Sequence, residues 1–224
     1  GLTTVRLASG WRSVSPSVRN LGLYLDSELT LSCHFSSVVR SCYFHLRDLG
    51  QLRPLLNHQT ANAVAVALVL SMLDYANSCL WGVAKTELQR LQRVQKTAAR
   101  IVARKKKMDH ITPVLSDLHW LPVEKRIQHK VLTLAYNCWH GTAPEYLTEL
   151  IPRHDPPRAL RSASQCRLRV PSVRTGNTNK KTRGYRAFSN SAPKLWNALP
   201  VSLKESDSIS FKKALKTLLF TNHD

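Results

Sequence analysis

The side chains in this sequence that could do chemistry are mainly cations, and one group of them recurs every three or four residues. The group consists of Arg90, Arg93, Lys96, Arg100 and Arg104, and Lys105, Lys106 and Lys107 follow it. On an α-helix of about 100° per residue, the five recurring cations share one face. Arginine and lysine in such a row bind nucleic-acid phosphates by charge, without regard to base sequence. The alternative is an ordinary solvated helix face, but few acidic residues interleave here, which favours phosphate contacts.

A second basic region lies farther along the chain. Residues 156–204 contain no acidic residue at all. We predict further nucleic-acid contacts beside its loop at 176–182, from Lys180, Lys181, Arg183 and Arg186. Tyr185 lies among these cations and is placed to stack on unpaired bases. Phe188 and Trp196 are better suited to a hydrophobic core.

Catalytic and metal-binding patterns are missing from the sequence. Nucleotidyl transfer uses carboxylates that converge on two metal ions, often with an adjacent acidic pair, and no two acidic residues of this chain are adjacent. No glycine-rich phosphate loop is present. Cys42 and His45 lie one helical turn apart and would supply half a zinc site, but no second pair at ligand spacing completes it. We therefore predict that this chain is not an enzyme by itself and binds no metal or other cofactor.

The composition agrees with a polyanionic partner. The 224 residues include 33 Lys and Arg but only 14 Asp and Glu, which gives a formal net charge of +19. Such a charge favours nucleic acid or an anionic membrane surface as partner. Hydrophobic residues make up 43% of the chain, which is enough to build a core, so a disordered polyelectrolyte is excluded.

The cysteines and one apolar run bear on where the protein works. The five cysteines are scattered and odd in number, unlike a secreted disulfide framework, so we expect a reducing, intracellular compartment. No signal-peptide pattern follows Gly1, and the chain resembles a piece of a longer protein. The apolar run at 61–73 is shorter than the roughly 20 residues that span a bilayer. It indicates a buried helix and no membrane partner.

The elements that must position the basic residues are mainly helices. Apolar periodicity predicts helices over 32–49, 59–80, 87–107, 123–139 and 208–220, the first of them capped by Thr30 or Ser32. Residues 18–26 predict a strand with a glycine at its centre, closing into a turn at 26–28. Residues 166–173 and 184–189 predict short extended stretches. A change from helical to mixed, strongly basic sequence places a boundary near Arg153.

Six segments, in this order, carry a resemblance to a known family. They are LGLYLD at 21–26, SMLDYANSCLWG at 71–82, LQRVQKTAARIV at 91–102, HITPVLSDLHWLPVEKRIQHK at 110–130, GTAPEYL at 141–147 and GYRAFSNSAPKLWNALP at 184–200. Through them the chain resembles the region downstream of the catalytic palm in reverse transcriptases of LINE-type (non-LTR) retrotransposons, of the jockey-like branch. Ala76 stands where the family usually has a cysteine, and Lys96 where it usually has an asparagine.

The resemblance implies a domain order. Residues 1–31 would be the end of the palm with the primer-grip hairpin, 32–153 a helical thumb-like domain, and 154–224 a smaller basic α+β region. The expected fold class is therefore mainly α, a thumb-like bundle preceded by a β-hairpin strand. The primer-grip residues would be Leu21, Gly22, Leu23 and Tyr24.

The resemblance also implies a function. The thumb would hold a template–primer duplex of RNA and DNA through its phosphates. The catalytic acidic pair of the family would lie upstream, so Mg²⁺ would belong to the parent RNA-directed DNA polymerase and not to this chain. The expected setting is a nuclear or cytoplasmic ribonucleoprotein of a transposable element.

Two alternatives come from other classes. The chain is also compatible with a transposon remnant encoded by a host gene, without a selected function. It is further compatible with a helical protein-interaction module that the host reuses to bind acidic partners. Competition by heparin without binding of duplex nucleic acid would favour the second alternative.

Overall fold

The first elements of the fold are two antiparallel hairpins. The computed structural model describes residues 4–7, 10–13, 15–155, 166–171 and 183–221. Strand β1 (Thr4–Leu7) pairs with β2 (Gly10–Ser13), and β3 (Ser17–Asn20) pairs with β4 (Leu23–Asp26).

The single strand predicted over 18–26 is wrong, because the chain reverses at its glycine. Asn20 pairs with Leu23, so the turn contains two residues, Leu21 and Gly22. Their φ angles are 45° and 82°. A two-residue turn with positive φ at both positions matches the twist of the flanking strands, and glycine adopts that conformation without strain.

The predicted turn after β4 is confirmed, and the Asp26 carboxylate holds it. This carboxylate accepts hydrogen bonds from the backbone N–H groups of Glu28 (3.1 Å), Thr30 (2.9 Å) and Leu31 (2.7 Å). These bonds, above all the one from Thr30, lower the pKa of Asp26. The predicted cap by Thr30 or Ser32 is wrong, because Leu31 precedes the helix and no side chain caps it.

The helices before Arg153 follow in order. They are α1 (Ser32–Leu52), α2 (His58–Ala65), α3 (Ser71–Asp74), α4 (Lys85–Ala103), α5 (Thr112–Asp117), α6 (Val123–Trp139) and α7 (Glu145–Thr148). A π-helical turn, Val66–Leu70, joins α2 to α3. Short 3₁₀ turns lie at Arg53–Leu55 and Asn77–Leu80. The helix predicted over 59–80 therefore ends early, since Ala76 adopts a left-handed φ of 49°.

The C-terminal region is helical where the structure describes it, apart from residues 166–171. The helices are α8 (Arg183–Arg186), α9 (Phe188–Asn197), α10 (Val201–Lys204) and α11 (Ser208–Thr221). The extended stretch predicted at 184–189 is wrong, because these residues belong to α8 and α9. Of the stretch predicted at 166–173, the structure describes residues 166–171. There Leu168 forms an isolated antiparallel bridge with Arg153, whereas Cys166 has a left-handed φ of 47°.

Helix α6 lies at the centre of the packing. It contacts α4 on one side and α9 and α11 on another. Trp196 of α9 and Phe211 of α11 are fully buried, and the Phe211 ring stacks on Tyr136 of α6 at 4.2 Å. The described residues after Arg153 thus share one core with the helices before it. The structure is mainly helical with a small β component, as the sequence predicts.

Two structural observations concern a bilayer crossing and the cysteines. None of the described helices combines the length and the apolar character that a bilayer crossing requires. All five cysteines lie in the described part of the chain, and no disulfide joins any two of them.

A buried histidine makes stability depend on pH. His34 of α1 is 5% exposed, and its Nδ1 has no partner. Burial lowers its pKa, and burial is also the main cause of a lowered pKa at His129 of α6. Because the unfolded pKa is near 6.5 and the folded pKa lies below it, full stability holds above about pH 6.5 and is lost as the pH falls toward the folded value.

We therefore expect the free energy of unfolding in urea to decrease between about pH 7.5 and pH 5.5. Carboxylates titrate mainly below that window. The variant His34→Leu should show a shallower decrease than the unmodified chain. An equally steep decrease in the variant would contradict the assignment to His34.

Candidate nucleic-acid interface

Helix α4 presents an apolar face to the core and a basic face to solvent. Leu91, Val94, Ala98 and Val102 are buried, which confirms the predicted apolar face. On the opposite arc Arg93 is exposed, and Lys96 and Arg100 are half-buried. The predicted cations on this arc therefore reach solvent along the length of the helix.

The structure gives Arg90 other partners. Its Nη1 donates to Glu87 Oε2 at 2.7 Å, and its Nη2 donates to Ser36 Oγ of α1 at 3.2 Å. The carboxylate neutralises the guanidinium and fixes it at the α1 border. Arg90 therefore contributes less free charge to the basic face than its spacing suggests.

The end of α4 lies earlier than the sequence predicts. The helix ends at Ala103, and Arg104 follows with a left-handed φ of 51°. The Arg104 Nη2 donates to the carbonyls of Arg53 (3.2 Å) and Pro54 (3.3 Å). Beyond it, Lys105, Lys106 and Lys107 are exposed in a turn rather than on the helix.

Helix α1 lies beside α4 and runs in the same direction. Ser36, near the start of α1, accepts from Arg90, near the start of α4. Arg53, directly after α1, donates its Nε to the carbonyls of Ile101 and Val102, near the end of α4. Both helices therefore run from the Ser36 end to the Arg53 end.

The exposed side of α1 adds cations that the sequence-based prediction missed. Arg40 and Arg47 are exposed and lie seven residues apart, so they share one face. Tyr43 lies between them and is 41% exposed, on the side of α1 that carries Ser36. The sequence did carry a signal for them, because both arginines lie opposite the apolar residues Phe35, Cys42 and Leu46 of α1, which are buried.

We call the combined surface the α1–α4 face. It consists of Arg40, Tyr43, Arg47, Arg93, Lys96 and Arg100, with Lys105, Lys106 and Lys107 at its end. The described residues contain two ion pairs, Glu87–Arg90 and Asp74–Arg126. None of the charged side-chain groups of the α1–α4 face therefore has a carboxylate within 4.0 Å in the described part of the chain, although the Lys106 backbone N–H donates to the Asp109 carboxylate at 2.8 Å.

Most of the predicted cations after residue 175 cannot be placed on a surface. Lys180 and Lys181 lie outside the described residues, and of Arg183 only the helical backbone is described. Tyr185 is half-buried, and Lys194 Nζ lies 4.6 Å from its ring centroid. Its ring thus already packs against a cation. Trp196 is buried, as the sequence predicts.

Arg186 joins the C-terminal region to the N-terminal half of the chain. Its Nη1 donates to the Leu29 carbonyl at 2.7 Å, and its Nε donates to the Trp81 carbonyl at 3.4 Å. A Cβ on Gly82, whose φ is 70°, would lie 2.8 Å from Arg186 Cγ. The structure thus gives this side chain internal partners rather than a free position for phosphate.

The primer-grip-like residues form the tip and one strand of the β3–β4 hairpin. Leu21 is 83% exposed at the tip, while Leu23 and Tyr24 are half-buried in β4. The Tyr75 hydroxyl donates to the Leu21 carbonyl at 2.6 Å. A Cβ on Gly22 would lie 3.1 Å from the Tyr75 ring, so this glycine allows the close approach.

The described residues show no metal centre. They contain no group of three or more His, Cys, Asp or Glu side chains that could hold a metal ion. Burial raises the pKa of the Cys42 thiol to about 11, which disfavours the thiolate that zinc would bind. The expectation about cofactors remains a prediction from the sequence.

Comparison of the chain with models of known protein families, with curated proteins and with solved structures yields no match. The case for a function therefore rests on the residues and contacts described above.

Proposed function

We propose that this chain is the thumb and C-terminal region of a LINE-type reverse transcriptase, and that it holds a template–primer duplex through backbone phosphates. The observation that carries the proposal is the α1–α4 face, where cations from two parallel helices lie without carboxylate partners. The proposal assigns no catalytic step to this chain. Mg²⁺ and the catalytic carboxylates would belong to the parent polymerase.

The form of the α1–α4 face suits a duplex backbone. Helix α4 has 19 residues and is therefore about 28 Å long, at 1.5 Å per residue. That length corresponds to about eight base pairs at roughly 3.4 Å each. A linear row of point charges contacts phosphates and carries no pattern of donors and acceptors for base edges. We therefore expect binding without sequence preference.

Polar contacts between the segments that carry the family resemblance also support the proposal. Gln95 is fully buried in α4, and its Nε2 donates to the Leu121 carbonyl at 2.8 Å. The Gln92 side chain accepts from the Val123 N–H at 2.9 Å, at the start of α6. The two glutamines thus tie the LQRVQ segment to the HWLPV segment. Such contacts explain why the segments occur together in one folded unit.

The β3–β4 hairpin suits a contact with the primer strand. Its tip exposes Leu21, and the hydrogen bond from Tyr75 holds the tip against the segment after α3. A tip that is exposed but anchored is able to touch a ligand without ordering a flexible loop first. We propose that Leu21 and Gly22 contact the end of the primer.

A salt titration of duplex binding tests the proposal. Each phosphate contact contributes about −0.9 to the slope of log K against log salt concentration. If the five helical cations of the α1–α4 face each contact a phosphate, the slope is about −4 to −5 for an RNA–DNA duplex. Fluorescence anisotropy with two unrelated duplex sequences should give the same slope for both.

Other results would contradict the proposal. A slope near zero, or no binding of duplex at low salt, would exclude a backbone grip. Binding to heparin without binding to either duplex would favour the protein-interaction alternative.

A further inference from the structure

A second positively charged site lies away from the α1–α4 face. It is a cavity of about 310 Å³ between α6, α11 and the segment that follows α3. Its polar lining comes from Asp74, Asn77, Arg126, His129, Lys130 and Lys216. None of these residues belongs to the α1–α4 face.

The cations of this cavity outnumber its carboxylate. Arg126, His129 and Lys130 lie at positions i, i+3 and i+4 of α6 and therefore share one side of it. The Asp74 carboxylate is already engaged by Arg126, whose Nε donates to Asp74 Oδ1 at 2.7 Å and whose Nη2 bonds Asp74 Oδ2. Lys130 and Lys216 thus have no carboxylate within 4.0 Å in the part of the chain that the structure describes.

This gathering of positive charge is electrostatically unfavourable. Burial, and then repulsion from Arg126, lowers the pKa of Lys216. Burial is the largest cause of a lowered pKa at His129, where Lys216 and Arg126 also act against the charged form. Asp74 and a hydrogen bond with the Lys212 carbonyl oppose these effects. A bound anion would relieve the repulsion among these side chains.

Asn77 gives the cavity a buried polar atom that lacks a hydrogen-bond partner. The residue is 3% exposed, and its Oδ1 has no hydrogen-bond partner. Its Nδ2 donates to Asp74 Oδ1 at 3.3 Å. A buried amide oxygen without a partner is unfavourable. A ligand with a hydroxyl or amino donor beside its anionic group would satisfy it.

We propose that this cavity binds the terminal phosphate monoester of a nucleotide. At neutral pH such a group carries a charge of about −1.5 to −2, which matches the two unpaired ammonium groups of Lys130 and Lys216. The sugar hydroxyls supply donors for Asn77. The ligand chemistry is shared by a free nucleotide and by the 5′-phosphorylated end of a strand. The inference does not depend on the duplex grip of the α1–α4 face.

Titration calorimetry with AMP tests the site. We expect the unmodified chain to bind AMP and not adenosine, because adenosine lacks the phosphate. The double variant Lys130→Gln and Lys216→Gln should weaken AMP binding at least about tenfold, since both charge partners of the phosphate are lost. The matched control is Lys85→Gln with Arg169→Gln, which removes the same charge from exposed positions outside the cavity and should bind AMP like the unmodified chain.

Three results would overturn the proposal. They are equal binding of AMP and adenosine, unchanged binding by the Lys130 and Lys216 variant, and an equal loss in the Lys85 and Arg169 control. Circular dichroism of each variant separates loss of the site from loss of fold.

The source of the phosphate follows from a second comparison. AMP is compared with a 5′-phosphorylated trinucleotide and with its 5′-hydroxyl counterpart. Tighter binding of AMP assigns the site to free nucleotides, and tighter binding of the phosphorylated trinucleotide assigns it to strand ends. If the 5′-hydroxyl trinucleotide binds as tightly as the phosphorylated one and AMP does not bind, the cavity is not a phosphate site.

Discussion

The double charge reversal Arg40→Glu and Arg93→Glu is expected to weaken duplex binding about a hundredfold at roughly 0.1 M salt. At that concentration each lost phosphate contact removes about 0.9 log units of affinity, and the introduced carboxylates add repulsion. The salt slope should become shallower by about 2. Fluorescence anisotropy across a range of salt concentrations measures both quantities.

Arg40 and Arg93 are suited to this test because they are exposed and have no carboxylate partner within the described residues. One lies on each of the two parallel helices. Arg90 and Arg104 are poor choices, since each donates to groups outside α4. Their substitution would alter packing as well as charge.

The matched control for the charge reversal is Lys212→Glu with Lys213→Glu. It changes the net charge by the same amount at exposed positions of α11. We expect this control to bind duplex within a few-fold of the unmodified chain. A loss equal to that of the Arg40 and Arg93 variant would mean that overall charge, and not the α1–α4 face, determines binding. A loss that differs between duplex sequences would contradict backbone contact.

The two sides of α4 were predictable from sequence because they depend on local periodicity. Leu91, Val94 and Ala98 recur at helical spacing, and their burial follows from that spacing alone. The distant partners of Arg90 and Arg186 were not predictable in the same way. They include a serine 54 residues from Arg90 and a carbonyl 105 residues from Arg186, which only the tertiary packing brings close.

The hairpin turn at Leu21 and Gly22 shows a different limit of prediction from the sequence. Two-residue hairpin turns are recognisable when Asn or Asp precedes the glycine, and here leucine takes that place. Leucine disfavours a positive φ, so the sequence favours a continuous strand. The Tyr75 hydroxyl bonds the Leu21 carbonyl and the Tyr75 ring packs on Gly22, which supports the turn from outside the hairpin.

The phosphate cavity could not be predicted from the sequence, because its residues meet only through tertiary packing. Asp74 and Arg126 lie 52 residues apart, and Lys216 comes from the last helix. Their encounter depends on how α11 packs against α6. The sequence shows the spacing of Arg126, His129 and Lys130 on one side of α6, but it does not show which groups face them.

Replacement of Arg53 by methionine is expected to lower the free energy of unfolding by about 3 kcal/mol, because its guanidinium closes the end of α4. Arg53 is 8% exposed. Its Nη2 donates to the Val102 carbonyl at 2.7 Å, and its Nη1 donates to the Leu56 carbonyl at 2.6 Å. Its Nε donates to the Ile101 carbonyl at 3.0 Å. The last carbonyls of a helix have no partner within the helix. The variant removes both Arg53 bonds to the buried Val102 carbonyl, whereas the Ile101 carbonyl keeps its bond from the Arg104 N–H at 3.2 Å.

Burial, and then repulsion from Arg104, lowers the pKa of Arg53. Part of the stabilisation from these hydrogen bonds therefore only offsets the desolvation of the guanidinium charge. The expected loss in the free energy of unfolding is for this reason smaller than the sum of four separate charged hydrogen bonds. Arg53→Lys should be nearly as harmful, since one ammonium group cannot reproduce the planar fork that reaches several carbonyls. Urea unfolding followed by circular dichroism measures these differences.

Arg104→Met is the matched control for Arg53, because Arg104 is a second arginine at the end of α4 and donates to the Arg53 carbonyl. Arg104 is exposed, and its Nη2 donates to the carbonyls of Arg53 at 3.2 Å and Pro54 at 3.3 Å. We expect its loss to lower the free energy of unfolding by about 1 kcal/mol or less. Equal losses for the two variants would show that Arg53 does not close the helix. Because Arg53 also fixes α1 beside α4, its loss should separate the two rows of cations and weaken duplex binding even under conditions where the variant remains folded.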